Sequence, residues 1–181
     1  MRSLAFSGSL RSGSFNRKLL GNVIRAAEAQ GMTVEHLDLR ELALPIYDGD
    51  IEARGLPDGA KQFKEKITAA DLLLIASPEY NSSISGALKN AIDWASRPPE
   101  NPFKGKLGSL FATSPGPFGG VRGLFTTRQI LTVLGVWVSP NQLILPHSHQ
   151  AFNDDGTLKE AKVFDQISSI LSEISSLRGT K

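Results

Sequence analysis

The sequence predicts an α/β domain built on a parallel sheet. Three observations carry that reading. The short apolar runs at Leu4–Ser7 and Leu72–Ala76 and the Leu107–Ala112 segment read as strands, Leu72–Ala76 being apolar on every residue as in a strand buried on both faces. Segments between the strands repeat apolar residues at helical spacing. The chain has 181 residues, with 40% hydrophobic and 21% charged, which suits one globular domain spanning residues 1–181.

The elements follow in order. Leu4-Ala5-Phe6-Ser7 runs into Gly8 and reads as a strand ending in a turn. Phe15, Leu19, Leu20, Val23, Ile24 and Ala27 mark a helix that Gly31 ends. Thr33 to Leu39 alternates as an edge strand does. Pro45 to Pro57, with Gly49, Gly55 and several charges, reads as a loop. Phe63 and Ile67 sit on a second, shorter helix, and Leu72–Ala76 is apolar throughout and therefore central. Ile84, Ala87, Leu88, Ala91, Ile92 and Ala95 define a third helix, stopped by Pro98-Pro99. Val121, Leu124, Phe125, Leu131 and Leu134 mark a fourth, ended by Gly135. Val136–Val138 and Leu143–Leu145 read as one strand interrupted near Pro140, and Phe164, Ile167, Leu171, Ile174 and Leu177 as a final helix. Five strands and five helices fit the flavodoxin-like order 2-1-3-4-5, whose ligands bind beyond the carboxyl ends of the strands. The loops after the first, third and fourth strands are therefore the places to look for chemistry.

Composition narrows that chemistry. There is no cysteine, so disulfides, iron–sulfur clusters, thiolate zinc and cysteine nucleophiles are excluded. No run approaches the roughly 18 apolar residues of a membrane span. The first residues lack the apolar core of a secretion signal, so a cytoplasmic location is expected. The net charge is only +2, but no acid precedes Glu28 and none lies between Glu100 and Asp154. Two acid-free segments, one with Arg2, Arg11, Arg17, Lys18 and Arg25 and one with Lys104, Lys106, Arg122 and Arg128, are expected to flank an anionic ligand. Arg122 and Arg128 are candidates for a coenzyme phosphate or for subunit ion pairs.

The first loop reads Gly8-Ser9-Leu10-Arg11-Ser12-Gly13-Ser14-Phe15-Asn16. It is not a dinucleotide fingerprint. It is not a Walker A loop either, because Ser14-Phe15 stands where Lys-Ser/Thr is needed. It offers hydroxyls, one guanidinium and N–H groups at a helix start, which suit a terminal phosphate. The second loop, Ser77 to Gly86, brings the flat face of Tyr80 and the amide of Asn81, with Glu79 as an acceptor or a solvated acid. Ser82 or Ser83 is its expected helix cap. The third, Thr113 to Gly120, has glycines that permit close backbone approach. His147 and His149 have no cysteine and only His36 to complete a metal site, so a surface loop is the expectation. Asp154-Asp155-Gly156 reads as a turn, and Asp93-Trp94 and Trp137 as packing or interface residues.

Together these segments resemble the NAD(P)H-dependent FMN reductase family, which includes bacterial quinone and chromate reductases. Its motif G-S-x-R-x-x-S-x-N matches Gly8, Ser9, Arg11, Ser14 and Asn16. Its P-E-Y-N followed by G-x-L-K-N-A-I-D-W matches Pro78 to Asn81 and Gly86 to Trp94, and a looser S-x-G-x-x-G-G matches Ser114, Gly116, Gly119 and Gly120. Ser85 departs from the proline of many members and is expected to loosen the helix start. The resemblance implies that Ser9, Arg11, Ser14, Phe15 and Asn16 surround the FMN phosphate. It implies that Pro78, Glu79, Tyr80 and Asn81 line the ring, approached by Thr113, Ser114 and Gly116. No catalytic acid or base and no metal is implied. The implied reaction passes hydride from NADPH or NADH through FMN to a quinone, a flavin or a similar small acceptor. Homodimers or homotetramers are implied, with neither nucleic acid nor membrane as partner. The alternatives are a flavodoxin-type electron carrier without nicotinamide turnover, which an acidic docking surface would mark, and a phosphate-binding module without redox chemistry.

Overall fold

The computed structural model describes residues 1–177, so the last four residues of the expected domain lie outside the described part. The chain runs β1 (Arg2–Ser7), α1 (Phe15–Ala29), β2 (Thr33–Leu37), a 3-10 turn at Leu39–Leu42, α2 (Gly49–Glu52), α3 (Asp58–Ala69) and β3 (Leu72–Ala76). It continues with β4 (Glu79–Tyr80), β5 (Ser83–Ile84), α4 (Gly86–Ala95), β6 (Leu107–Thr113) and α5 (Val121–Val133). It closes with β7 (Trp137–Val138), β8 (Leu143–Leu145), α6 (Ser148–Ala151) and α7 (Ala161–Ser176).

The main sheet has the order β2-β1-β3-β6-β7, with β8 also paired to β6, and every pairing is parallel. This is the expected 2-1-3-4-5 order with its fifth position split in two. β7 pairs with Leu107 and Gly108 at the start of β6, and β8 with Phe111 to Thr113 at its end. Between them the Arg128 side chain donates to the carbonyls of Val138 and Ser139 at 3.3 and 2.6 Å and to Gln142 at 3.0 Å. Arg128 is thus used inside the fold, which corrects its expected role toward a coenzyme phosphate or another subunit. Burial pushes its guanidinium below its ordinary value.

Alternation sorts the strands between two cores. Leu4, Phe6, Leu73 and Ile75 face α3, α4 and α5 through Phe63, Ile67, Leu88, Ile92, Leu124 and Leu131. Ala5, Leu72, Leu74 and Phe111 face α1 and α7 through Leu19, Leu20, Val23, Ile167 and Leu171. Phe6 meets Phe63 edge to face at 5.3 Å. The expected packing of Phe125 fails, and Trp137 lies outside the core, which leaves the interface half of its reading. Phe125 is 60% exposed, although it shares helical spacing with buried Leu124 and Leu131. Trp137 is 72% exposed, because β7 is a short edge strand whose side chain points outward.

The motif on α4 explains itself as packing. Trp94 is fully buried, and its indole N–H donates to the Pro45 carbonyl at 2.8 Å. Asn90 donates to the same carbonyl and accepts from Tyr47 N–H, each at 2.8 Å. Lys89 and Asp93 pair at 2.6 Å, one turn apart on the same helix. Three of the motif's polar groups therefore pin the 45–57 segment, which holds the short helix α2 within its expected loop. The charge expectation also needs correction at this level. Lys106 donates to the carbonyls of Thr68 and Ala70 at 2.7 and 2.6 Å, at the amino end of the sheet. Lys104 lies beside it, so neither flanks the carboxyl edge.

Trp94→Ala is expected to destabilise the fold by about 3–5 kcal/mol, the usual cost of deleting a buried aromatic. Urea denaturation monitored by far-UV circular dichroism measures it; a loss below 1 kcal/mol contradicts the packing role.

Candidate active site

Parallel pairing ends β1, β3, β6 and β8 on one edge, with Ser7 beside Ala76, Ala76 beside Phe111 and Thr113 beside Leu145. The three loops expected to carry chemistry leave from there. They are also bonded to one another.

The first loop closes on the second at Gly8. The Gly8 N–H donates to Ala76 O at 2.9 Å, and the Ser85 hydroxyl donates to Gly8 O at 2.6 Å. A Cβ on Gly8 would stand 2.9 Å from Leu88 Cβ and 3.0 Å from Pro78 Cδ. The same Ser85 oxygen accepts from Leu88 N–H at 3.2 Å and caps α4. This overturns the expected cap at Ser82 or Ser83 and the expected loosening at Ser85. Ser82 cannot serve because it and Asn81 form the tip of the β4–β5 hairpin, with φ of 62° and 50°. Across the gap, Ser9 Oγ and the Tyr80 hydroxyl lie 3.4 Å apart.

The first loop meets the third through Asn16. Its side-chain amide donates to Thr113 O at 2.9 Å and accepts from Thr113 N–H at 3.1 Å, as a strand backbone would. Thr113 Oγ1 donates to Leu145 O at 2.7 Å, which carries the connection to β8. The third loop folds on itself, with Ser114 Oγ 3.4 Å from Gly116 O and Gly119 N–H donating to the same carbonyl at 3.3 Å.

Ser14 caps α1, its hydroxyl accepting from Arg17 N–H at 3.4 Å. The amides of Ser12, Gly13, Phe15 and Asn16 make no hydrogen bond among the described residues, nor does the guanidinium of Arg11. The Phe15 ring stacks on Phe152 at 6.1 Å, so its side chain packs while its N–H remains at the helix start. Arg17 instead pairs with Asp38 at 2.8 Å, and Arg40 donates to Leu10 O. Burial pushes the Asp38 carboxyl up, but the Arg40 N–H and the Arg17 guanidinium outweigh it and hold it below its ordinary value.

On the other side of the edge, Glu79 faces the start of α5. Its carboxylate accepts from the N–H groups of Arg122 at 2.9 Å and Gly123 at 3.2 Å. It also pairs with the Arg122 guanidinium at 2.6 Å. Arg122 therefore has a partner within its own chain, while its side chain stays 52% exposed. Its guanidinium also lies 5.1 Å from the centre of the exposed Phe118 ring. His147 and His149 stand 6.3 Å apart, and no group of three or more metal-ligating side chains occurs among the described residues.

Comparison with known proteins decides the family. A model of the family described as NADPH-dependent FMN reductase matches residues 1–150. The chain belongs to this family. It is 41% identical over 175 residues to an NAD(P)H-dependent FMN reductase of Pseudomonas aeruginosa, covering 96% of this chain and 93% of that one. It is 38% identical over 176 residues to an NAD(P)H:quinone oxidoreductase of Solanum tuberosum, covering 94% and 89%. Among solved structures, the flavoenzyme NAD(P)H:(acceptor) oxidoreductase FerB of Paracoccus denitrificans superposes with a TM-score of 0.83 at 30% identity, covering 97% of each chain. The family's flavodoxin-like α/β fold is thus the fold of this chain.

Sequence reasoning named Gly8 and Ser85 without their roles, the close crossing and the α4 cap, and missed Asp38 at the site. Ser85 carried a signal, a serine directly before a glycine-initiated apolar helix. Asp38 carried none, because its partner Arg17 lies on another element.

Ionised Asp38 stabilises the native state above the unfolded carboxylate value of about 4, and this contribution is lost as pH falls through the lower folded value. Asp38→Asn is expected to flatten the acid side of the Tm–pH curve. A curve parallel to that of the unmodified protein below about pH 4 contradicts the assignment.

Proposed function

We propose that the three carboxyl-edge loops hold FMN, with its phosphate in the first loop and its ring between the second and third. The chain is an NAD(P)H-dependent FMN oxidoreductase, as its family and its quinone-reductase relatives indicate. The observation that carries the phosphate assignment is the first loop itself. It groups the amides of Ser12, Gly13, Phe15 and Asn16 and the guanidinium of Arg11, none of which has a hydrogen-bond partner among the described residues, with the Ser14 hydroxyl. These are the donors a phosphate dianion needs, and the start of α1 adds the positive end of its dipole. The residues therefore fit the group.

The side chains divide the work. Ser9 and Ser14 donate from their hydroxyls, and Arg11 supplies a charged fork. Phe15 and Asn16 contribute backbone N–H groups, because their side chains pack on Phe152 and hold Thr113. Pro78 and Tyr80 present flat apolar surface to a ring. Asn81 presents its amide from the hairpin tip, and Thr113, Ser114 and Gly116 line the opposite wall. Bound FMN supplies the redox chemistry, accepting hydride from NADPH or NADH and giving electrons to a quinone, a flavin or another small acceptor. The protein positions the ring and withholds competing charge.

A flavodoxin-type carrier is less well supported. Glu79 is the only acid in the three loops, and Arg122 neutralises it, so these three loops offer no acidic docking surface. No described helix is long and apolar enough to cross a membrane, and we read the location as cytoplasmic. α7 shares a core with α1, which supports reading residues 1–181 as one domain. We further propose a homodimer or homotetramer, because Phe118, Phe125 and Val133 are 60%, 60% and 82% exposed at and along α5.

Arg11→Ala is expected to raise the FMN dissociation constant about 10- to 100-fold, the equivalent of 1.5–3 kcal/mol for a lost charged hydrogen bond. Fluorescence titration of apoprotein measures it; an unchanged constant refutes the phosphate role. Nicotinamide oxidation that needs both FMN and added quinone tests the reaction. Phe125→Asp combined with Val133→Asp is expected to run as a monomer by light scattering, whereas an unchanged assembly mass excludes this face as the interface.

A further inference from the structure

We propose that Glu79 positions the flavin site rather than touching it. It forms a charge-neutral clamp with Arg122 that sets the β4–β5 hairpin on the start of α5. This rests on the FMN reading above.

All the acceptor capacity of Glu79 points away from the first loop. One oxygen accepts from the N–H groups of Arg122 and Gly123, and the other from the Arg122 guanidinium at 2.8 Å from Nε and 2.6 Å from the terminal nitrogen. The Glu79 side chain is only 9% exposed, while that of Arg122 is 52% exposed, so the carboxylate is shielded and the guanidinium meets it from the solvent side. The start of α5 lacks a side-chain cap of its own, since Gly120 stands at its N-cap position. Glu79 supplies that cap from another segment, where a negative charge is favoured by the helix dipole.

Contact is close enough to fix geometry. A Cβ on Gly123 would stand 3.0 Å from Glu79 Cα and 3.2 Å from Ser83 O, so α5 rests on the hairpin backbone. The Ser77 and Thr127 hydroxyls, 2.9 Å apart and buried, tie the same loop to the same helix one turn further on. Glu79 is the strand residue directly before Tyr80, and the two-residue tip after Tyr80 is held in left-handed backbone. Little freedom remains between the clamp and the ring of Tyr80. Displacing Glu79 therefore displaces Tyr80 and Asn81 relative to Ser9.

The clamp has an electrostatic consequence. A lone carboxylate at this edge would oppose the addition of electrons to a nearby ring, and Arg122 cancels it. Removing either partner leaves an uncompensated charge, of opposite sign in the two cases. A purely structural role would not produce that signature.

The test uses Glu79→Ala, Arg122→Ala and the double variant of the full chain. Far-UV circular dichroism and apoprotein Tm establish folding. Glu79→Gln, which keeps one acceptor, takes the place of Glu79→Ala if the latter does not fold. FMN affinity of each apoprotein is read by fluorescence titration, and the two-electron potential by equilibration with a reference dye. Glu79→Ala is expected to weaken FMN binding roughly tenfold. Arg122→Ala is expected to weaken it in the original background and by less than about twofold in the Glu79→Ala background, because the two act as one unit. The potential is expected to rise in Glu79→Ala and fall in Arg122→Ala. Equal Arg122→Ala effects in both backgrounds, unchanged FMN affinity in Glu79→Ala, or potentials that stay fixed or shift with the same sign overturn the proposal. Failure of the unmodified apoprotein to bind FMN would instead refute the flavin reading.

Discussion

Gly8 has no side chain, and the arrangement of the carboxyl edge depends on that. β1 and β3 end side by side, so the chain leaving β1 must cross the chain leaving β3 at contact distance. Only a residue without Cβ fits between Leu88 and Pro78 there. Close approach lets the Gly8 backbone bond Ala76 and receive the Ser85 hydroxyl. From that crossing α1 starts at a fixed place, Asn16 reaches Thr113, and the third loop is set against the first. A bulkier residue would move the start of α1 and, with it, every donor grouped there.

Much of the fold was legible because its signals are local. The apolar runs of β1, β3 and β6 and the helical spacing of α1, α4 and α7 are properties of short windows. The break near Pro140 was legible too, since proline cannot donate to a ladder. What escaped depends on partners distant in sequence. Arg122 and Arg128 looked free because Glu79 and the Val138–Ser139 carbonyls lie elsewhere in the chain. Charge alone groups Lys106 with the ligand edge, although its place directly before the Leu107 strand already puts it at the amino end. Phe125 matched the apolar period, yet the helix turns it to the outside. At the site, residue types were readable and their tasks were not. Asn16 and Glu79 both suited a ligand, and both spend their side chains on the protein.

The same loops show why the small net charge says little. Arg17 is balanced by Asp38, and Arg122 by Glu79, while Lys106 is bound to carbonyls at the far end of the sheet. Arg11 remains as the guanidinium at the first loop without a partner among the described residues. At the first loop this leaves the Arg11 guanidinium beside a set of amides, a far sharper feature than the total of +2. Such a site favours a ligand with one concentrated negative end over a diffuse anion.

The division of the fifth strand separates two neighbourhoods that a continuous strand would couple. β8 receives Thr113 at the carboxyl edge, while β7 carries exposed Trp137 at the amino edge. Arg128 grips the carbonyls at the break, so neither half can slide along β6 and drag the other. Mutational change at the Trp137 end is thereby kept apart from the third loop at the carboxyl edge. The rim at Trp137 can accordingly vary, with whatever meets it, while the opposite end of the sheet stays as it was.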